Sequence, residues 1–386
     1  MRKYFEFQNG VKIKCGEDAL QTIGSELKYY EATKPLLITS ASAQKLGIAN
    51  KVIAAIKSGN VKEIATFPYE SNALKEELVK QIKRLYEEKE CDCIIAVGGD
   101  AVIDAAKCAK FFLSENCEEI VPLIGAGSAK TKEIPTIVIP TENGSGKEAG
   151  SFLEHEDNYL DSIALVPSVV IIDDKTAMAA PARTVAASGI YALANAIESY
   201  LNTEEDSPVE IYAEKAVKLL SKYLVKAVEN SEDEEACRGV ALASTLAGIA
   251  YAEVPYGAAH ALAAAIAKTT GEPTEEAFGY TLIPAIEKTM QNATERVKNL
   301  LLPLAGPTKY AETPDSERAQ ATISELVKLI ETLHEKANVP FKMSGTKTQR
   351  EQFGTIAEEA ANNRAAVTAY KPITKETFLA ILNAAY

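Results

Sequence analysis

The first half of the chain alternates short runs of apolar and β-branched residues with helical patterns. Amphipathic stretches near 42–58, 73–89 and 101–112 predict helices. The runs between and after them predict five strands: PLLIT (35–39), EIATF (63–67), CIIAV (93–97), PTIVIPT (135–141) and SVVIID (168–173). Strands that alternate with helices in this way form a parallel sheet with helices on both faces. The first half is therefore predicted to be an α/β domain.

The strand pattern stops after Pro181. From about residue 183 onward the sequence is rich in Ala and Leu and is broken by polar turns such as NTEEDSP (202–208). Long alanine- and leucine-rich stretches of this kind favour helices. We therefore predict an N-terminal α/β domain over residues 1–182 and an all-helical domain over residues 183–386.

The net charge of −13 excludes two classes of partner. A chain of this charge is repelled by nucleic acids and by anionic membrane surfaces, so neither is an expected partner. No segment approaches the roughly 20 consecutive apolar residues of a membrane helix, and MRKYFEFQNG at the N-terminus has no apolar run typical of a signal peptide. Six cysteines in 386 residues are too sparse for a disulfide scaffold. We predict a cytoplasmic protein with free thiols.

The segment CIIAVGGDAVIDAAK (93–107) reads as a strand, a tight glycine turn and a helix. Backbone N–H groups at the start of such a helix can bind a phosphate, and the helix dipole favours the negative charge. The segment lacks the G-x-G-x-x-G pattern of dinucleotide-binding turns, so an ordinary strand–helix turn is the alternative interpretation.

A second loop, PTENGSGKEAG (140–150), also follows a predicted strand and is rich in Gly, Ser and Thr. Its Gly-Lys pair is reminiscent of a phosphate-binding P-loop. That loop requires Ser or Thr after the lysine, whereas this chain has Glu148. A P-loop is therefore excluded.

The segment SGIYALANAIESYL (188–201) predicts a helix that is apolar nearly all round and hence buried. Tyr191, Asn195 and Glu198 form a polar stripe along one side of it. Buried polar side chains need hydrogen-bond partners. The stripe is therefore predicted to face a polar site.

Four segments together resemble the iron-containing alcohol dehydrogenases along essentially the whole chain. The turn AVGGDAVIDAAK is similar to the family's GGGS-x-x-D-x-A-K, and IPTENGSGKE is similar to its IPTT-x-GTGSE loop. The other two segments are PSVVIIDDKTAMAAPARTVAASGIYALANAIESYL and GAAHALAAAIAKTTG with the LIP that follows it. The resemblance implies a Rossmann-like parallel-sheet domain followed by a helical domain, the dehydroquinate synthase-like fold of this family.

The resemblance also implies a metal site that this chain does not preserve. The family holds Fe²⁺ or Zn²⁺ with one Asp and three His, and the matching positions here are Tyr191, Asn195, Tyr256 and Thr270. Neutral amide, hydroxyl and phenol oxygens are poor ligands for these ions. We therefore expect no bound metal.

The expected cofactor is NADP or NAD. Ser40 stands where many relatives carry an Asp that excludes a 2′-phosphate, so its presence would permit NADP(H). Asp100 and Ala101 replace the third Gly and the Ser of the family turn, and an Asp there could repel a pyrophosphate. The resemblance assigns cofactor binding to eight residues: Ser40, Gly98, Gly99, Asp100, Ala101, Asp104, Thr141 and Ser145.

Two hypotheses about function follow. The first is a metal-independent, NAD(P)-dependent alcohol dehydrogenase or aldehyde reductase, in which Tyr191 or Tyr256 polarises the carbonyl and His260 relays the proton. His260 matches the family's non-ligand histidine beside the nicotinamide, although a buried structural histidine is the alternative.

The second hypothesis is a catalytically inactive relative that acts as a binding, regulatory or assembly subunit. A glycerol-phosphate dehydrogenase or dehydroquinate synthase is a weaker third, because those enzymes also use a metal. The predicted partner is a small alcohol or aldehyde, and the predicted assembly is a homodimer or a larger homo-oligomer.

Overall fold

The computed structural model describes residues 7–71, 73–120, 133–141, 145–155, 158–178, 180–202, 207–254, 257–289, 293–367 and 373–386. The chain divides into two compact units. One comprises Phe7–Ala180 together with Ser231–Ala252, and the other contains Pro181–Asn230 and Glu253–Tyr386. Across the described ranges, no helix is both long enough and apolar enough to span a membrane.

The first unit, here called the α/β unit, is built on strands. They are β1 (Lys12–Gly16), β2 (Pro35–Ser40), β3 (Ala65–Tyr69), β4 (Cys93–Gly98), β5 (Thr136–Pro140), β6 (Phe152–His155), β7 (Asn158–Asp161) and β8 (Val169–Asp173). Within the described residues, six of them form one parallel sheet in the order β1-β8-β5-β4-β2-β3. The remaining pair, β6 and β7, forms an antiparallel hairpin.

The α/β unit also contains helices, some of which cover the two faces of the sheet. They are α1 (Ile23–Tyr29), α2 (Ala41–Lys45), α3 (Ile48–Lys57), α4 (Glu76–Glu88), α5 (Asp100–Glu115), α6 (Asp174–Ala177) and α9 (Glu234–Glu253). Successive strand residues point to opposite faces. On β2, Leu36 and Ile38 therefore pack with α4 and α5, whereas Leu37 packs with α1 and α3. Full burial of each such side chain contributes about 1.5–3 kcal/mol.

The second unit, here called the helical unit, contains only helices among its described residues. They are α7 (Ala182–Asn202), α8 (Pro208–Glu229), α10 (Ala258–Thr270), α11 (Thr274–Thr289), α12 (Thr294–Glu312), α13 (Arg318–Ala337), α14 (Phe353–Asn362), α15 (Arg364–Val367) and α16 (Lys375–Ala385). Helix α7 is its buried centre, since all residues from 189 to 200 are buried. Gly189 lets α8 approach closely, because a Cβ there would lie 2.3 Å from Leu224 Cδ1.

The structure confirms the predicted fold class and the five predicted strands, with the second displaced by two residues to 65–69. The single helix predicted over 42–58 is instead two helices. Gly47 separates them because its φ of 72° is left-handed and cannot continue a helix. Strand β1 and the β6–β7 hairpin were not predicted.

The division into units differs from the predicted boundary in one respect. Residues 231–252 fall inside the sequence range assigned to the helical domain, yet they cluster with the α/β unit. The Ala- and Gly-rich pattern of α9 predicts a buried helix but carries no information about which unit buries it. The boundary at 182 remains a prediction about sequence domains.

Candidate active site

The glycine turn after β4 is the candidate cofactor site of the α/β unit. Gly98 ends β4, Gly99 caps the N-terminus of α5, and Asp100 is the first helical residue. A Cβ on Gly98 would lie 2.8 Å from Val102 Cγ2, so only glycine fits beside that side chain. The first N–H groups of a helix have no acceptor within the helix. The turn therefore presents backbone N–H groups of the kind that bind phosphates.

The turn lies where the strand order of the sheet reverses. The chain runs from β2 to β3 on one side, and then crosses to β4 on the other side of β2. Ligands of open parallel sheets bind at the carboxyl ends of the strands that flank such a reversal. These ends carry Ser40, whose Cβ lies 3.3 Å from a Cβ built on Gly98. Thr141 is adjacent, because its N–H donates to the Gly98 carbonyl at 3.1 Å.

The Ser40 hydroxyl caps a short helix at this edge. It accepts the N–H of Ala43 at 3.1 Å and lies 2.9 Å from the Ser42 hydroxyl. Ser40 thus places a neutral side chain at the end of β2. A carboxylate at this point would repel a 2′-phosphate, whereas a hydroxyl does not.

Asp100 is the one feature of the turn that opposes a phosphate. The residue is half-buried at the first position of α5, where the helix dipole stabilises its negative charge. Ala101 follows it and supplies no hydroxyl. The backbone of the turn therefore fits a dinucleotide, and the Asp100 carboxylate lowers the expected affinity.

Lys147 pairs with Asp104 one helical turn beyond the glycine turn. The Lys147 ammonium lies 3.4 Å from Asp104 Oδ2, and both side chains are largely buried. From the sequence, Lys147 either compensates the charge of Asp100 or is solvated. In the structure it forms an ion pair with Asp104 instead. Ser145 is also buried, and its hydroxyl lies 3.5 Å from the Lys147 N–H. Asp104 and Ser145 thus order the second loop behind the turn.

Two further buried charges support this loop. Lys107 is fully buried and donates to the carbonyls of Lys147 at 2.9 Å and Phe152 at 2.5 Å. Burial lowers the pKa of Lys107 to about 8. Glu148 is also fully buried, accepts the Thr245 hydroxyl at 2.7 Å, and has its pKa raised to about 7 mainly by burial. Neither residue was predicted to belong to the site, although both lie in the segments that resemble the family.

A second buried polar cluster lies in the helical unit. The Asn195 and Glu198 side chains of α7 contact His260 of α10 from opposite sides of its ring. The distance is 2.6 Å from His260 Nε2 to Asn195 Oδ1 and 2.5 Å from Nδ1 to Glu198 Oε2. All three side chains are buried. The polar stripe predicted on α7 therefore faces a histidine.

Aromatic rings enclose the same cluster. The Tyr191 ring lies 5.8 Å from the His260 ring and 5.1 Å from the Phe278 ring, between centroids. Phe278 of α11 lies 4.8 Å from His260 in an edge-to-face arrangement. Tyr191 and His260 were predicted to lie at one site, and the structure brings their rings together. Phe278 was not predicted. An isolated Phe in a helix gives no signal beyond burial. The third predicted catalytic residue, Tyr256, lies outside the described residues.

The described donors at the family's metal positions do not fit a transition metal. Asn195 Oδ1 is in contact with the His260 ring. The Thr270 hydroxyl donates to the Ile266 carbonyl at 2.8 Å and accepts the Glu272 N–H at 3.1 Å. In the described ranges, no three His, Cys, Asp or Glu side chains converge in a metal-binding arrangement. Such oxygens lack the charge and basicity that Fe²⁺ or Zn²⁺ requires.

Comparison with known proteins places the chain in a family. The profile of iron-containing alcohol dehydrogenases matches residues 10–174. The profile of the C-terminal region of the Fe-containing alcohol dehydrogenase family matches residues 185–386. Together the two matches span nearly the whole chain.

Individual proteins agree with this assignment. The NAD-dependent methanol dehydrogenase of Bacillus methanolicus is 29% identical over 254 residues, which are 64% of this chain and 66% of that protein. Alcohol dehydrogenase 4 of Saccharomyces cerevisiae is 25% identical over 380 residues, 96% of each chain. The fold matches the alcohol dehydrogenase of Oenococcus oeni with a TM-score of 0.89 at 24% identity, covering 99% of this chain and 100% of that one. The chain therefore belongs to the iron-containing alcohol dehydrogenase family of oxidoreductases.

Proposed function

We propose that this chain is an NAD(P)-dependent alcohol dehydrogenase or aldehyde reductase that works without a metal ion. The observation that carries the proposal is the convergence of Ser40, Gly98 and Thr141 at the strand reversal beside the N-terminus of α5. This is the place and the chemistry of a dinucleotide site. The family assignment and the printed name of the NAD-dependent relative support the same cofactor class.

In the proposed complex, the residues at the glycine turn hold the cofactor. Gly98 and Gly99 admit the pyrophosphate to the backbone, and Ser40 leaves room for a 2′-phosphate. The nicotinamide supplies or accepts the hydride when it is bound. We propose that NADP(H) binds at least as well as NAD(H), because no carboxylate stands at the end of β2.

The second part of the proposal concerns the carbonyl of the substrate. With no metal as a Lewis acid, a hydrogen-bond donor must polarise it. We assign this role to a phenol, that of Tyr191 or Tyr256, and the proton transfer to His260. The substrate is a small alcohol or aldehyde. The chain is further proposed to form a homodimer or a larger homo-oligomer, which light scattering on the purified protein would measure.

One observation favours the second candidate function, a non-catalytic binding or assembly subunit. Both ring nitrogens of His260 lie within hydrogen-bond distance of protein groups, and the Tyr191 ring packs against Phe278. Protein side chains thus contact one another at the position where the family holds its metal. A non-catalytic subunit would not need to admit a substrate there. Both candidate functions allow cofactor binding at the glycine turn, but only the first includes reduction of a substrate.

A pair of measurements separates them. Calorimetric titration with NADPH and NADH measures binding, and the loss of NADPH absorbance with a panel of short aldehydes measures turnover. Binding with turnover supports the enzyme. Binding without turnover supports the non-catalytic subunit, and failure of both cofactors to bind contradicts the proposed cofactor site.

A further inference from the structure

The Glu198 carboxylate accepts hydrogen bonds from the backbone as well as contacting the His260 ring. Oε1 accepts the N–H of Ala259 at 2.8 Å, and Oε2 accepts the N–H of His260 at 3.2 Å. Both N–H groups belong to the first turn of α10. Carboxylates at a helix N-terminus are stabilised by the free N–H groups and by the helix dipole. Glu198 lies on α7 and therefore caps the N-terminus of a neighbouring helix, α10.

Gly257 makes this cap possible. It is the residue before α10, and a Cβ built on it would lie 2.0 Å from Glu198 Oε2. Any larger residue at 257 would displace the carboxylate. The close approach of the backbone to Glu198 fixes the carboxylate in one place, and the His260 ring then meets a fixed acceptor.

The fixed acceptor determines where the proton of His260 lies. An ionised carboxylate accepts hydrogen bonds and donates none. The contact of 2.5 Å from Nδ1 to Glu198 Oε2 is therefore a bond donated by Nδ1–H. Nε2 is then the ring atom left to exchange a proton, and it faces the Asn195 amide. That amide can present its oxygen to a protonated Nε2 or its nitrogen to an unprotonated one, by rotating about its terminal bond.

We propose that Glu198 is a positioning residue that holds the proton of His260 on Nδ1 and so makes Nε2 the proton-exchanging atom. The part of this inference that concerns catalysis rests on the proposed function, since it assumes that His260 handles the proton of the reaction. The part that concerns the proton position does not, and it is tested without substrate.

The test is nitrogen-15 NMR of protein labelled at histidine. The chain has three histidines, so the variants His155→Gln and His334→Gln identify the His260 signals by elimination. The expected result is a proton on Nδ1 of His260 in the folded protein near neutral pH. An unprotonated Nδ1, or rapid averaging between the two tautomers, would overturn the proposal.

The variant Glu198→Gln tests the cause. A glutamine whose oxygen caps Ala259 turns its NH₂ group toward Nδ1, so His260 should move to the Nε2–H tautomer. Glu272→Gln is the matched control, because Glu272 is a buried carboxylate of the same unit that accepts the Tyr280 and Thr348 hydroxyls at 2.7 and 2.8 Å. Glu272→Gln should leave the His260 tautomer unchanged. If Glu198→Gln folds and also leaves it unchanged, Glu198 is not the positioning residue.

Activity provides a separate measurement. Where aldehyde reduction is detected, Glu198→Gln should lower kcat by roughly 10- to 100-fold and alter the pH profile of kcat, while cofactor Kd stays within about twofold. If the wild-type protein shows no turnover, the proposed function is contradicted. The inference about the proton position is still tested, because the NMR measurement needs no substrate.

Discussion

Gly146 and Gly248 meet backbone to backbone, although they are far apart in the chain. A Cβ on Gly248 would lie 2.0 Å from the carbonyl oxygen of Gly146, and a Cβ on Gly146 would lie 2.5 Å from the Cα of Gly248. Gly146 also has a φ of 89°, which a side chain rarely tolerates. Helix α9 is thus pressed directly against the loop that follows β5.

The variant Gly248→Ala should therefore be strongly destabilised. The new methyl group meets rigid backbone, and we expect the free energy of unfolding to fall by at least about 2 kcal/mol. Gly354→Ala is the matched control, since Gly354 lies in α14 and a Cβ there meets nothing within 4 Å. Urea denaturation measures both variants. Equal stability of the two would contradict the close packing of α9 on the loop.

Removing the charge of Asp100 should strengthen cofactor binding. A like charge roughly 6 Å from a phosphate costs about 2–3 kcal/mol at an effective dielectric constant near 20, and solvent screening reduces that value. We expect Asp100→Gly and Asp100→Asn to tighten the Kd for NADPH by about tenfold in calorimetric titrations. Glu115→Gln removes the same charge at the other end of α5 and should change the Kd little. Unchanged affinity in both Asp100 variants would show that its carboxylate points away from the phosphate.

Glu148 should make the protein less stable as the pH rises above the acidic range. Its pKa is raised from 4.5 to about 7 in the folded protein. The folded state therefore holds a proton that the unfolded state has released, and the resulting stability is lost as the pH rises from about 4.5 to about 7. Glu148→Gln should abolish this dependence and gain about 3 kcal/mol relative to wild type across the window.

Denaturation of wild type and Glu148→Gln at pH 5 and pH 8 measures the effect. Glu63→Gln, at an exposed carboxylate, is the control and should follow the wild-type profile. A constant difference between Glu148→Gln and wild type at the two pH values would contradict the raised pKa.

Purified protein should carry far less than one equivalent of iron or zinc per chain. The described donors at the metal positions are neutral oxygens, and those of Asn195 and Thr270 are in contact with protein groups. Elemental analysis of protein prepared without chelators measures the content. Near-stoichiometric metal that is lost in Asn195→Ala or Thr270→Ala would refute the expectation.

Replacing His260 should separate chemistry from cofactor binding. If His260 transfers the proton, His260→Ala should lower aldehyde reduction by roughly 10²–10⁴-fold and leave the Kd for the cofactor intact. His334→Ala is the comparison, because the His334 ring lies 2.6 Å from the Val339 carbonyl through Nδ1 and has no proposed role in turnover. Turnover that survives His260→Ala would place the proton transfer elsewhere.

Strong local patterns made much of the fold predictable. The apolar runs that became β2, β4, β5 and β8 are buried on both faces. Their short length and their position between helical patterns favour strands. Strand β1, with the sequence KIKCG, was missed because it lies at the sheet edge, where lysines alternate with apolar residues. Its partner β8 lies more than 150 residues away, so no local pattern indicates the pairing.

The site was predictable in part for a different reason. The spacing of Tyr191, Asn195 and Glu198 on one helix revealed a polar stripe before any partner was known. That Glu198 meets His260, 62 residues further along, depends on how α7 and α10 pack. Likewise, the pairing of Lys147 with Asp104 rather than Asp100 depends on one side-chain direction. Such choices follow from tertiary packing, which a sequence pattern does not encode.

The α/β unit is built from two separate segments of the chain, and the ribosome therefore synthesises them at different times. The loop around Gly146 leaves the ribosome about 100 residues before Gly248, the residue that backs it. During that interval the nascent sheet lacks α9, while the ribosome adds residues of α7 and α8, which belong to the other unit. Contacts between distant parts of a chain form late and slowly. A nascent chain released at residue 180 would therefore carry the glycine turn but not the helix that backs the loop around Gly146, and the proposed nucleotide binding should first appear once residue 252 has emerged.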